Sequence, residues 1–148
     1  MKLFLDTCTL LDYYARRAPF FEDMQKVRIA QFFGDVSLYA SVQSLCDIEY
    51  ILSKAIGKEQ IRKMMYSSLS FLHVVPASAS NVEQILTAGW NDLEDCVIAH
   101  TAAEYQMDYL LTRNLKDFES SQVVVLSPSG WLSMMEENGV TYEDANLS

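Results

Sequence analysis

The chain has 148 residues, of which 50% are apolar, 11% aromatic and 21% charged, which excludes an intrinsically disordered chain and gives one domain's worth of sequence. Acidic side chains outnumber basic ones by 20 to 11, and a net charge of −9 excludes nucleic-acid binding through the overall field. No apolar run approaches the roughly 18 residues of a membrane span. Asp6 interrupts the apolar N-terminal stretch, which argues against a secretory signal. Cys8, Cys46 and Cys96 are too few and too scattered for a disulfide framework or a zinc knuckle, so a reducing cytoplasm is expected. The charge is uneven: residues 1–63 carry nine basic and eight acidic side chains, residues 64–148 two and twelve. Contacts to a polyanion should fall on the first half, and the acids of the second half need cations.

Residues 2–5 (KLFL) read as a buried strand ending at Asp6, followed by a helix over Leu10–Arg16 capped by Thr7 or Thr9. Pro19 opens a helix whose apolar positions run from Phe20 to Phe33, and Gly34 stops it. Val36–Ala40 is a second strand. Ser41 caps a helix to Ser53 with Leu45, Ile48, Ile51 and Leu52 as its stripe, and Lys58–Leu69 is another helix. His73–Val75 is a third strand, and Ser78 or Ser80 starts a helix to Ala88. Asp92 caps a helix to Tyr105, Tyr109–Thr112 and Val123–Leu126 are further strands, and Pro128 opens a final helix over Ser129–Glu137. One domain, 1–137, is expected, with 138–148 as a loose polar tail. Short apolar strands alternating with helices predict a three-layer α/β/α domain with a mainly parallel five-stranded sheet. Such sheets bind ligands at the carboxyl ends of their strands.

Asp6 ends the first strand, Asp47 lies early in the helix after the second, Asp92 and Asp95 open the helix before the fourth, and Asp117 follows the fourth. Four segments thus bring carboxylates toward one rim, an arrangement that protons or a hard divalent ion must compensate. Mg²⁺ or Mn²⁺ suits oxygen ligands, and Asn114, Thr7 and Thr112 could add neutral oxygens or hold the acids. Such an ion lowers the pKa of water and stabilises charge on a phosphate, so no side-chain nucleophile is required. Arg16, Arg17, Lys54 and Arg113 are the candidates for gripping phosphate. His73 and His100 read as structural, and Asp12, Glu49, Glu94 and Glu104 as solvated helix faces.

LDTCTLLDYY, SVQSLCDIEYILSK and DLEDCVIAHTAAEYQMDYLLTRNLKDF resemble, in order and spacing, the four acidic motifs of the PIN-domain family, which includes VapC-type toxins. The resemblance implies a PIN fold, metal-dependent cleavage of RNA, and Asp6, Asp47, Asp95 and Asp117 as catalytic metal acids with Asp92 and Asn114 as auxiliaries. It further implies a homodimer, an RNA substrate, and a place in a toxin–antitoxin pair with an antitoxin partner. Two features depart from or blur the pattern. Cys8 stands where the family has Asn, which should loosen the Asp6 region, since a thiol lacks an amide's donors and acceptor. Glu49 is the alternative to Asp47; the two point about 200° apart on a helix and cannot share a cleft. A PIN fold that binds without cutting, or another Asp-based α/β phosphohydrolase, is the alternative reading.

Overall fold

The computed structural model describes residues 1–77 and 81–143. β1 (Lys2–Leu5), β2 (Ser37–Ser41), β3 (Leu72–Val75), β4 (Tyr109–Leu111) and β5 (Val124–Leu126) form one sheet in the order β3-β2-β1-β4-β5. Every neighbouring pair is parallel. Between and after the strands come α1 (Thr7–Tyr14), α2 (Phe20–Phe32), α3 (Val42–Ile56), α4 (Lys58–Ser68), α5 (Val82–Thr87), α6 (Leu93–Glu104) and α7 (Pro128–Glu137). The chain steps outward from β1 to β3 and then returns to add β4 and β5 on the other side, so its crossovers lie on opposite faces.

Strand alternation divides the core. Leu3 and Leu5 point into the larger cluster, with Val27 and Ala30 of α2, Ile48 of α3, Ile61 of α4 and Trp131 of α7. Phe4 points to the other face, against Ile98, Ala99 and Ala102 of α6 and Phe118. The sheet is therefore covered on both sides, which is why its strands read as apolar runs.

Local chemistry moves several boundaries. Asp6, rather than Thr7 or Thr9, caps α1, its carboxylate accepting from the Thr7 N–H, so the helix starts at Thr7 and ends at Tyr14. Helix α3 passes Ser53 and stops at Gly57, whose φ of 92° a side chain would resist. Ile51 of the expected stripe is exposed. Ser78 and Ser80 lie outside the described residues, and the helix they were to open begins at Val82. The tail is not loose throughout. Tyr142 is buried, stacks on Trp131 with centroids 6.0 Å apart, and donates to Asp35 at 2.7 Å, because an aromatic gains by covering the end of the core.

Phe4 is fully buried at the sheet centre. Phe4→Ala should cost about 3–5 kcal/mol in urea unfolding. Phe33→Ala, at a ring 68% exposed, should stay within about 0.5 kcal/mol of wild type. Equal losses would mean that the two-sided core is misplaced.

Candidate active site

The switch in strand order lies between β1 and β4, and the carboxyl ends of these strands open the crevice. Asp6 follows β1 directly. Its N–H donates to the Leu111 carbonyl at 3.0 Å, which sets it beside Thr112. Its side chain is 4% exposed and has three donors: the Thr7 N–H at 2.8 Å, the Thr112 hydroxyl at 2.7 Å and the Cys8 thiol at 3.3 Å. Burial raises the Asp6 pKa, these three hydrogen bonds pull it back, and the charge of Asp117 raises it slightly. Cys8 therefore fastens Asp6 where loosening was expected, since one S–H aimed at one oxygen does the work needed here. Burial, with the charge of Asp6, pushes the Cys8 thiol up to about 11, so it is a protonated donor at neutral pH and not a nucleophile.

The Ser41 hydroxyl accepts from the Ser44 N–H and starts α3 at the same rim. Asp47 sits in its second turn; one oxygen accepts from Gln43 at 3.4 Å, and Oδ2 is buried with no hydrogen-bond partner. Glu49 is turned away, gripped by Arg62 of α4 at 2.6 and 3.1 Å. Asp47, and not Glu49, is the acid at the rim. Asp92 caps α6, accepting from the Asp95 N–H at 3.1 Å. The Asp95 pKa is pushed up to about 6 by partial burial and then by the charges of Asp6, Asp92 and Asp117. Asp117 does not follow β4 directly; it belongs to a 3-10 turn, Leu115–Phe118, pinned by buried Phe118.

Glu94 is the residue missed in the sequence. It reads as solvated, yet it accepts from the Thr7 hydroxyl at 3.4 Å and meets Asp47. Partial burial, the hydrogen bond and charge of Asp47, and the charges of Asp92 and Asp6 push its pKa up to about 7. The signal was available: once Asp92 is the cap, residues 93–95 are the first turn, and all of them lie at the rim. Thr7 also bonds Ser44 at 2.8 Å, and the Asn114 N–H donates to the Thr112 hydroxyl at 3.1 Å, so both threonines hold neighbours in place.

The phosphate-gripping candidates are not at the rim as free cations. Arg113 is clamped to Asp12 at 2.6 and 3.2 Å with its guanidinium 4.1 Å from the Phe20 ring centroid. Asp12, expected on a solvated face, is 1% exposed. Arg16 and Arg17 follow the end of α1, and Lys54 lies in the last turn of α3; both helices begin at the rim and run away from it. His73 lies against the Tyr39 ring at 4.9 Å and His100 bonds the Cys96 carbonyl, both structural.

Among the described residues, no three carboxylate, imidazole or thiol side chains lie close enough to enclose a metal ion. The donor set nevertheless fits a hard divalent cation: it is all oxygen, three acids of the rim, Asp6, Glu94 and Asp95, hold protons more tightly than free acids, and buried Asp47 Oδ2 faces no donor but a protonated Glu94. Crowding has a pH signature. Glu94 and Asp95 bind protons more tightly folded than at their ordinary values of 4.5 and 3.8, so their contribution to folding stability falls as pH rises from about 4 to 7. In EDTA, the Glu94→Gln/Asp95→Asn variant should melt with wild type near pH 4 and progressively above it toward pH 7.5. Parallel melting curves across that range would mean that these acids do not repel.

A PIN domain family model matches residues 2–116. Among solved structures, the fold is similar to VapBC2 from Rickettsia felis bound to a promoter DNA fragment, at 19% identity and TM-score 0.62, covering 86% of this chain and 98% of that one. A toxin–antitoxin complex from Klebsiella pneumoniae matches at 23% identity and TM-score 0.62, covering 85% and 97%. VapBC-1 from nontypeable Haemophilus influenzae matches at 16% and 0.66, covering 87% and 99%. No curated protein matches the sequence significantly. With the family model spanning most of the chain, the chain belongs to the PIN domain family.

Proposed function

We propose that this PIN domain is a divalent-metal-dependent endoribonuclease and the toxin of a toxin–antitoxin pair. The observation that carries the reading is the buried Asp47 Oδ2, which faces no donor but a protonated Glu94, on a rim where Asp6, Asp92, Asp95 and Asp117 interact through their charges. Two carboxylates so paired need either a shared proton or a cation between them. Asp6, Asp47, Asp95 and Asp117 would hold Mg²⁺ or Mn²⁺, with Asp92, Asn114, Thr7 and Thr112 as auxiliaries. Bound there, the ion would lower the pKa of water and neutralise charge on the phosphodiester.

The chain's own residues do the rest. The Thr7 N–H, Thr112 and Cys8 hold Asp6 in one orientation and favour its charged form. Asp92 keeps the first turn of α6 at the rim. Arg113 is committed to Asp12, so it braces the loop after β4 and leaves the phosphate to the cation. The choice of RNA rests on the motif resemblance. The antitoxin rests on the neighbouring toxin–antitoxin complexes, together with exposed apolar side chains on α3 and α4 (Tyr50, Ile51 and Tyr66) that a protein partner or second copy would cover. The spacing of the carboxylates favours one competitor, a PIN fold that binds without cutting.

A nuclease assay separates the two. Single-stranded RNA should be cut in Mn²⁺ or Mg²⁺ and spared in EDTA, and Asp6→Asn or Asp95→Asn should slow cleavage by at least about 10–100-fold. Wild-type rates in both variants would refute the site, and intact RNA under every metal would favour the binding-only fold. Co-expression with the product of an adjacent short reading frame should relieve toxicity if the pair exists.

A further inference from the structure

The basic half of the chain folds around a cavity of about 470 Å³ between α1, α2 and α4. Helix α1 begins at the acidic rim, so Tyr13 and Arg16 near its other end lie roughly 10 Å further along. Three cations, Arg16, Arg28 and Lys63, and four rings, Tyr13, Tyr14, Phe21 and Phe71, line the cavity, and no carboxylate does. In a chain with 20 acids and 11 basic groups, that segregation is a feature to be explained. Tyr13 lies 5.9 Å from Phe21 and 6.0 Å from Phe71, centroid to centroid. The Arg28 guanidinium lies 4.0 Å from the Phe71 centroid, and that of Arg16 lies 5.7 Å from Phe21.

Arg28 is half-buried, yet among the described residues it makes no ion pair; Gln31 accepts from it at 2.6 Å. Burial holds its pKa below the ordinary arginine value, and Tyr13 offsets this only in part. A partly desolvated cation without an anion is costly. Lys63 is paired with Glu59, and both side chains are exposed. The hydroxyls of Tyr14 and Ser68 bond each other at 2.5 Å, so these two polar groups are satisfied while the guanidinium donors retain capacity.

We propose that this cavity binds a nucleoside phosphate, its phosphate against Arg16, Arg28 and Lys63 and its base among Tyr13, Phe21 and Phe71. Guanidinium forks match phosphate oxygens in pairs. Aromatic rings stack on a base whatever its identity. The volume is in the range of small-ligand sites. A neutral aromatic would leave the cations unpaired, and a simple phosphate would leave most of the volume beside the rings unfilled. The site is separate from the carboxylate rim, so it stands whether or not the rim cuts RNA.

Isothermal titration of the full chain in EDTA, with adenosine 5′-monophosphate, adenosine, inorganic phosphate and a glutamate-rich peptide, tests this. The nucleotide should bind, more weakly at high salt, with adenosine and phosphate each at least about tenfold weaker. Arg16→Gln/Lys63→Gln changes two exposed side chains; it should keep the wild-type melting temperature and lose about tenfold or more in nucleotide affinity. Asp6→Asn should bind the nucleotide as wild type does. No nucleotide binding, equal affinity for inorganic phosphate, or full affinity in the Arg16/Lys63 variant would overturn the proposal. Tighter binding of the peptide than of the nucleotide would overturn it in favour of an acidic protein segment.

Discussion

The arrangement at the sheet's centre depends on one buried carboxylate held open to ionisation by three donors. Burial of Asp6 at 4% exposure opposes its charge and leaves its pKa raised, and the Thr7 N–H, Thr112 hydroxyl and Cys8 thiol offset that in part. Two of those donors follow from chain continuity, because they lie one and two residues downstream in the helix that Asp6 caps. The third, Thr112, is 106 residues away and arrives only because β4 pairs with β1 in register, Leu5 against Leu111. Strand order therefore determines the state of the acid. A carboxylate has lone pairs enough to cap a helix with one oxygen and receive a hydroxyl and a thiol with the other, so the capping role and the rim role coexist in Asp6.

From that point the molecule separates its charges by end. The carboxyl ends of the strands gather Asp6, Asp47, Asp92, Glu94, Asp95 and Asp117, while Arg16, Arg28 and Lys63 gather at the far end of α1. Arg113, which follows β4 near the rim, is held instead by buried Asp12. Removing one member of such a pair typically costs about 3–5 kcal/mol, because the other is left buried and uncompensated. Its position is thus set by folding, and the rim keeps its negative charge. The halves of the sequence, +1 and −10, hinted at this separation, but the boundary is spatial: Asp6 and Asp47 come from the basic half.

What could be read from sequence was what is local. Strand ends, helix caps and first turns are set by residues within a few positions, so Asp6, Asp47, Asp92 and Asp95 were placed at the rim by pattern alone. Helical geometry allowed only one of Asp47 and Glu49 at the rim, the motif pattern favoured Asp47, and Glu49 is taken up by Arg62. What failed depended on distant partners. Asp12 and Arg113 are 101 residues apart, and nothing near either one announces the other. Tyr142 looked like part of a polar tail because Asp35 and Trp131, which hold it, lie far off in sequence. Cys8 was judged against the amide it replaces, whereas its environment asks for a single donor.

Helix α6 shows why the fold tolerates its own acidic crowd. Asp92, Glu94 and Asp95 occupy the cap and first turn, where the positive end of the helix dipole favours carboxylates by a few tenths to about 1 kcal/mol each. If that effect dominated, their pKa values would fall. Those of Glu94 and Asp95 rise instead, to about 7 and about 6, so desolvation and mutual repulsion exceed what the helix end returns. The surplus is supported by the core beneath: Ile98, Ala99 and Ala102 bury the other face of α6 against Phe4 and Phe118. A helix anchored by its apolar face can hold its first turn in an unfavourable field, and that field is what gives a cation something to neutralise.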